Sequence, residues 1–496
     1  MSYRTTAEDK VKQGLDNKGL RIVCTIFFYY AMIIIPLYVE NKYFNMLEAK
    51  WHVYSVGSIA LLAVALCVVV LNYAVNRNRN RTIPQVLGFQ KGLTLLDMAL
   101  IAFAINAVLS SILSSNPRAA FWGLDGWHVG AFTISSLVLW YFILKDNLKL
   151  SHNAWLGVMA VNAFIVIIAV LHAMEIDAFS LHLHAYYKQY HLYLSTLGNA
   201  NWIVGYLSLL FPLFFGFYLI SDDRASERIY EVFLFLLCML MVLTASDGMY
   251  LGLGVTAFFL IPFIFQDGVR LRKTSIVLTM YGICLLSISI LPAFSGKRDS
   301  MNGLSGFFIE TYVAAAVVVI GLIGCFALRA GIEKEKLTKA GWIAECALAV
   351  FTIIYAARSI NGFDEHWGTG RGWTWTNSID KYGSFSTIEK LLGIGPELLR
   401  DYYKDTSEFF GRTLLVSHSE PIQILLTMGA AGLAIWVFIC SLIISGYIKK
   451  RAWKNENCIY YLPLVAYIGQ SFVNSAMTTN VAILTVILVL FRQRTE

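Results

Sequence analysis

The chain has 496 residues, of which 57% are hydrophobic and only 14% charged, and its mean hydropathy is +0.61. A water-soluble domain carries more charge and could not bury so large an apolar surface. The formal net charge of +7 is not accompanied by a basic tract interleaved with aromatic residues, so we expect no nucleic-acid partner. The composition indicates a polytopic integral membrane protein.

Apolar segments long enough to cross a hydrocarbon core of ~30 Å recur along the whole chain. We predict an all-α transmembrane bundle of about fourteen spans, near residues 22–39, 53–74, 93–113, 129–144, 154–173, 202–220, 231–245, 249–266, 276–294, 311–328, 342–357, 421–447, 458–475 and 478–492. Residues 1–21 are basic and lack a small-residue cleavage site, so we expect them to form a cytoplasmic tail.

Lys and Arg residues are concentrated in alternate loops of this arrangement. The predicted inner loops hold Arg77, Arg79, Arg81, Lys91, Arg270, Arg272, Lys273, Lys334, Lys336, Lys339, Lys449, Lys450, Arg451 and Lys454. Short cytoplasmic loops are enriched in these residues, so both termini are expected in the cytoplasm. The same rule places residues 358–420 on the extracytoplasmic side.

This large outer segment separates the predicted transmembrane helices of residues 22–357 from those of residues 421–496. Ser386 and Glu389 have the spacing of a capping box, which predicts a short helix that ends at Gly393. Pro396 is suited to open a second helix, over residues 397–404. The segment is therefore expected to be folded.

The outer segment ends in the sequence Ser417-His418-Ser419-Glu420-Pro421, directly before an apolar helix. His418 is thus expected at or just outside a helix N-terminus, facing the outer aqueous side. The positive end of the helix dipole favours a neutral imidazole that could act as a base, and free backbone N–H groups favour a phosphate. The alternative is an interfacial histidine that only forms hydrogen bonds.

Arg371 lies between Gly370 and Gly372, where little backbone bulk would hinder the approach of a large anion. The alternative is an exposed, solvated arginine. Trp373 and Trp375 follow it and could stack on sugar rings, although aromatic residues here could also anchor the segment at the bilayer surface.

Four sets of motifs occur in a recognisable order between about residues 110 and 435. They are Ser115-Asn116-Pro117 with Gly123; Gly198-Asn199-Ala200-Asn201 with Gly205-Tyr206-Leu207 and Pro212; Arg371 to Trp375 with Gly393-Ile394-Gly395-Pro396; and His418-Ser419 with Gly429-Ala430-Ala431-Gly432-Leu433. In order, spacing and placement the chain resembles the O-antigen ligase and O-antigen polymerase family of bacterial membrane glycosyltransferases.

The resemblance implies a GT-C-like bundle in the cytoplasmic membrane with an active site on its extracytoplasmic side. The donor would be an oligosaccharide on a polyprenyl pyrophosphate, transferred to an acceptor hydroxyl with inversion and without a metal or other cofactor. By position, His418 would be the catalytic base and Arg371 would neutralise the pyrophosphate. Asn199, Asn201, Trp373 and Trp375 are expected to bind substrate, and membrane lipid surrounds the site.

The chain departs from the family pattern at Ser246-Asp247-Gly248, where members commonly have an arginine that also contacts pyrophosphate. A carboxylate at Asp247 would repel that group. Either Asp247 contacts the acceptor instead, or another cation substitutes. The candidates for such a cation are Lys297, Arg298, Arg358 and Arg412.

Other classes of protein remain open on the sequence alone. A transporter or lipid-linked oligosaccharide flippase usually places ionisable residues near the middle of the membrane. The intramembrane carboxylates Asp97 and Glu345 lie nearer the predicted cytoplasmic ends, where a paired structural role is expected.

A metal-dependent hydrolase is a further alternative, because His182, His184 and His191 share one outer loop and Asp364, Glu365 and His366 are contiguous in another. Within the glycosyltransferase family, no residue distinguishes a ligase from a polymerase. We favour polymerisation of a surface polysaccharide over ligation to a lipid or protein acceptor, because ligation to a lipid core presupposes an outer membrane that the sequence does not show.

Overall fold

The protein is described here by a computed structural model that covers residues 18–76, 92–124, 126–184, 187–328, 333–402 and 416–495. The helices are α1 (Lys18–Tyr29), α2 (Met46–Asn76), α3 (Leu95–Leu113), α4 (Pro117–Trp122), α5 (Ala131–Asn147), α6 (His152–Ala173), α7 (Ala200–Ile220), α8 (Arg224–Thr244), α9 (Asp247–Ile264), α10 (Gly268–Ile290), α11 (Ser295–Asp299), α12 (Gly303–Ile309), α13 (Thr311–Ala327), α14 (Lys334–Asn361), α15 (Trp367–Ser384), α16 (Thr387–Leu392), α17 (Leu399–Tyr402), α18 (Glu420–Lys449), α19 (Cys458–Ser471) and α20 (Thr478–Thr495). Helix α1 continues through a π-helical turn, Tyr30–Ile34, to Leu37.

The predicted all-α architecture is confirmed, and the length and composition of the helices fit a multi-pass membrane protein. Each of the fourteen predicted spans coincides with a helix. Among the described residues, nine helices are long and apolar enough to cross a membrane, and the bent pair α12 and α13, at 70°, would make a tenth. The four predicted spans that form α5, α8, α19 and α20 fall outside that set, two of them because they are only 17 and 14 residues long.

Helix α7 is the most deeply buried of these helices, with 89% of its apolar window covered by protein. It packs between α8 and α19 and also contacts α20. Its N-terminus is fixed by a two-stranded antiparallel sheet of Tyr193–Leu194 and Gly198–Asn199. The Asn199 side chain accepts a hydrogen bond from the Asn201 N–H at 2.9 Å, which caps the helix.

Helix α18 is broken at Gly429, whose φ of 72° and ψ of −176° interrupt the helical ladder. The carbonyls that lose their helical donors there accept from neighbouring segments. Ile394 N–H donates to Leu426 O at 3.1 Å and Gly395 N–H to Thr427 O at 3.0 Å. A break inside a membrane helix is tolerated when its polar groups are satisfied in this way.

The turn after α16 therefore attaches the outer segment to α18. Gly393 has a φ of 82° and approaches the α18 backbone so closely that a Cβ there would collide with Thr427. The same holds for a Cβ at Gly429 against Leu391. Two glycines of separate motifs thus meet in one backbone contact, which only a residue without a side chain allows.

The predicted capping box of α16 is confirmed, since Ser386 accepts from Glu389 N–H and Glu389 accepts from Ser386 N–H. The second predicted helix begins at Leu399 and not at residue 397. Glu397 cannot start it, because its φ of 64° lies in the left-handed region. The predicted end of that helix, at residue 404, lies outside the described residues.

A buried ion cluster joins α3, α5 and α20. The Lys145 Nζ lies 3.0 Å from Asp97 Oδ2, and Arg492 Nε lies 4.0 Å from Asp97 Oδ1. Asp97 also accepts from the Tyr141 hydroxyl at 2.8 Å and completes a capping box with Thr94. The paired structural role expected for Asp97 is confirmed.

Asp97→Asn is expected to lower the free energy of unfolding by about 3 kcal/mol, because it leaves two buried cations without their carboxylate. Thermal denaturation of the detergent-solubilised protein measures the change. Glu333→Gln, which breaks an exposed pair with Lys336, is the control and should leave the denaturation midpoint unchanged. Equal midpoints for Asp97→Asn and the control would contradict this role.

Candidate functional site

His418 lies two residues before α18, as predicted from its helix-start sequence. Its backbone φ is 54°, a left-handed conformation that the neighbouring Ser417 helps to hold. Ser417 N–H donates to Gln423 Oε1 at 3.0 Å, and Ser417 O accepts from the Trp375 indole N–H at 3.1 Å. His418 is therefore anchored both to α18 and to α15.

The His418 imidazole packs edge-on against Trp127, with ring centroids 5.6 Å apart. Burial of the ring lowers the pKa of His418 to about 4, and the positive charge of Arg371 contributes to the lowering. The ring is neutral at physiological pH, as predicted, but burial and Arg371 are the causes, where the prediction relied on the helix dipole. No hydrogen bond joins the ring to any residue in the described part of the chain.

Arg371 does not lie in an exposed loop, as the glycines around it suggested, but on helix α15. The side chain is half-buried, and Nη1 donates to Gly368 O at 3.0 Å. Nε is buried without a hydrogen-bond partner among the described residues. Burial lowers the pKa of Arg371, and the carboxylate of Asp247 opposes that effect. An anion with several oxygens could satisfy these donors.

Asp247 is the first residue of α9 and remains exposed. Its Oδ1 accepts from the N–H groups of Leu304 and Ser305, at 3.1 and 3.3 Å, and so caps α12. The carboxylate is also close enough to Arg371 to stabilise its positive charge. Asp247, Arg371 and His418 thus form one electrostatic group, brought together from three separate helix ends.

The other expected substrate-binding residues lie around this group. Asn201 Oδ1 accepts from the Ser246 hydroxyl at 2.7 Å, which ties the start of α7 to the turn before α9. Trp375 packs against Trp367, with centroids 5.2 Å apart. Trp373 is almost fully buried, at 8% exposure, and offers little surface to a sugar.

The cations proposed to compensate for Asp247 have other partners. Arg298 Nη1 donates to Ser289 O at 2.6 Å, and Lys297 Nζ donates to His191 O at 2.7 Å. Arg358 is exposed on α14. Within the described residues, none of these three contacts Arg371 or His418, and Arg412 lies outside those residues.

The N-terminus of α18 offers fewer phosphate donors than its sequence suggested. Glu420 N–H already donates to Asn474 O at 3.0 Å. Pro421 follows and has no N–H to donate. Of the described groups at this site, Arg371 is consequently the stronger candidate for contact with an anion.

Two residues that help to build the candidate site, Trp127 and Glu397, were not identified from the sequence as site residues. Trp127 stands between His418 and Trp202, its ring 6.0 Å from the latter. Its backbone N–H donates to Glu397 Oε2 at 2.6 Å. Glu397 is buried, and a side chain at Gly126 would collide with its carboxylate. In the sequence, only the position of Glu397 directly after the Gly-x-Gly-Pro turn could have indicated that it belongs to the site.

Of the three histidines considered for zinc, the side chain of His184 lies outside the described part of the chain, and no described metal-ligating cluster contains both His182 and His191. His182 instead approaches Asp177 and His172, whose possible ligand atoms all lie within 4.8 Å of one another. The Ser195 N–H donates to His172 Nδ1 at 3.1 Å, so the neutral ring carries its proton on Nε2, the atom that faces Asp177. A protonated Nε2 cannot ligate a metal, and we assign this cluster to the structure of the outer loop.

The sequence matches no known family model and no curated protein. The resemblance to O-antigen ligases and polymerases therefore stands on the motifs quoted above.

Burial raises the pKa of Glu397 to about 7, against the single stabilising hydrogen bond from Trp127. A group with a raised folded-state pKa loses stabilisation as the pH rises from its unfolded value, 4.5, through about 7. Glu397→Gln does not titrate and should therefore gain stability over the wild type with rising pH, by roughly 3 kcal/mol at pH 8. Thermal denaturation from pH 5 to 8 measures this difference.

Glu365→Gln, which neutralises an exposed carboxylate in the same segment, provides the control and should show no such trend. A stability difference between Glu397→Gln and wild type that is constant across this pH range would refute the raised pKa.

Proposed function

We propose that this protein is a membrane glycosyltransferase that uses a polyprenyl-pyrophosphate oligosaccharide as donor. The observation that carries the proposal is that Arg371 and His418 lie on segments joined by the hydrogen bond from the Trp375 indole N–H to Ser417 O, where the charge of Arg371 acts on the imidazole. A half-buried cation beside a neutral base suits a reaction in which an anionic group leaves while a hydroxyl loses its proton. The motif resemblance independently assigns the same two residues to these tasks.

Arg371 would bind the pyrophosphate of the donor. Its Nε–H has no partner among the described residues, and burial makes an unsatisfied donor costly, so anion binding would be favourable. A guanidinium contacts two phosphate oxygens through parallel, coplanar N–H groups, a geometry that the ammonium group of a lysine does not reproduce. The negative charge that develops as the leaving group departs would strengthen this contact.

His418 would act as the general base. The acceptor hydroxyl attacks the anomeric carbon of the donor, a new carbon–oxygen bond forms, and the bond to the phosphate oxygen breaks with inversion. The hydroxyl proton passes to His418, and polyprenyl pyrophosphate leaves. Burial lowers the pKa of His418 and the charge of Arg371 lowers it further, so neutralisation of that charge by the bound donor would make His418 a stronger base when it is needed.

We further propose about fourteen spans in the cytoplasmic membrane, with the site on the extracytoplasmic side. The distribution of Lys and Arg supports this orientation. Polymerisation of a surface polysaccharide is the favoured outcome over ligation, and the length of the glycan product decides between them. Asp247 could hold the acceptor, since its carboxylate is exposed.

His418→Ala and Arg371→Lys should each lower transfer on the order of 100-fold, by removing the base and the bidentate phosphate contact respectively. The assay uses purified protein in liposomes with a polyprenyl-pyrophosphate oligosaccharide and a chelator, and scores released polyprenyl pyrophosphate together with longer glycan. His366→Ala, an exposed histidine of the same outer segment, is the control and should stay within about twofold of wild type.

Wild-type transfer by His418→Ala would exclude the proposed base. Movement of the intact lipid across the bilayer without release of polyprenyl pyrophosphate would instead identify a flippase.

The acid limb of kcat/KM should have its midpoint at about 4, because His418 is an effective base only when neutral and its pKa is lowered to about 4. Activity is thus retained as the pH falls through 6.5, the ordinary pKa of histidine, and is lost only as the pH approaches about 4. Measuring kcat/KM in the Glu397→Gln variant removes the titration of the Glu397 carboxyl from the profile. A midpoint near 6.5 in that variant would show that the base is solvated or is another residue.

A further inference from the structure

A large cavity opens at the end of the bundle opposite His418. Its volume is about 700 Å³, within the range of ligand pockets. Helix α7 runs from the candidate site to the cavity. Asn201, at its start, accepts a hydrogen bond from Ser246 beside the candidate site, and Ile220, at its end, lines the cavity. A helix of 21 residues is about 30 Å long, so the cavity is a separate site across the membrane.

One wall of the cavity is strongly basic. It contains Lys145, Lys149, Arg492 and Arg494, with Asp146 as the lining carboxylate. Lys145 and Arg492 are each only 6% exposed and share the fully buried Asp97. The positive charge of this wall therefore exceeds the negative charge around it.

Much of the remaining lining is aromatic and apolar. Trp155, Phe217, Tyr230 and Tyr460 contribute to it, and Leu490 and Ile220 extend it. A cavity lined by both cations and aromatic side chains matches an amphipathic anion better than a free ion. Basic pockets between transmembrane helices commonly bind lipid head groups.

We propose that this cavity binds the phosphate head group of an anionic phospholipid. Ordinary enrichment of cations at the cytoplasmic end requires only exposed side chains, as Lys149 and Arg494 are. Asp97 accounts for the burial of Lys145 and Arg492, but one carboxylate balances only one of these two cations, so positive charge remains beside the cavity. A lipid phosphate at the mouth of the cavity would complement the exposed pair, Lys149 and Arg494, and the buried pair, Lys145 and Arg492. The acyl chains of the lipid would lie along the apolar lining residues.

Native mass spectrometry of the full-length protein in detergent, titrated with phosphatidylglycerol or phosphatidylcholine, tests this proposal. The wild type should retain phosphatidylglycerol on the order of tenfold better than phosphatidylcholine. The double variant Lys149→Gln/Arg494→Gln should lose most of that preference. Both positions are exposed, so the variant is expected to fold normally.

The matched control is Lys336→Gln/Lys339→Gln, which removes two cations from the start of α14, outside the cavity. An equal loss of the preference for phosphatidylglycerol in this control would show that general surface charge causes the preference, and would overturn the proposed lipid site. Competition by millimolar inorganic phosphate would assign the cavity to free phosphate and overturn the lipid. No preference between the two lipids in the wild type would also refute the proposal. None of these measurements depends on glycosyl transfer.

Discussion

The backbone contact between the turn at Gly393 and the break at Gly429 is the constraint on which the site depends. Each glycine occupies space that a Cβ would fill, and the carbonyls released by the break accept from Ile394 and Gly395. The contact attaches the outer segment to the apolar helix α18 through main-chain hydrogen bonds. Because His418 precedes that helix, the contact also sets the distance between His418 and the outer segment that carries Arg371.

The electrostatics of the site follow from this attachment. Arg371 and His418 are about fifty residues apart in sequence, yet each occupies a partly water-excluded position where charges interact strongly. The protein avoids placing two buried positive charges together by keeping His418 neutral. The carboxylate of Asp247 stabilises the guanidinium, while its hydrogen bonds hold the start of α12.

The helical membrane fold could be predicted because span length and apolar composition are local properties of the sequence. The position of His418 was likewise readable from Ser419, Glu420 and Pro421, and the capping box of Ser386 from its spacing. The helix at Arg371 was missed because glycines before it favour a loop. Glu397 and Trp127 were missed because their contact joins residues 270 positions apart and depends on a left-handed backbone.

The carboxylate at Asp247 has a consequence under the proposed reaction. Polyprenyl pyrophosphate carries one more ionised oxygen than the glycosylated donor, so a site built only from cations would hold the product more tightly than the substrate. Asp247 acts on the same guanidinium that would bind the phosphates, and like charges repel at short range. It would therefore weaken product binding more than donor binding. A residue that looks unfavourable for pyrophosphate recognition could in this way favour its release.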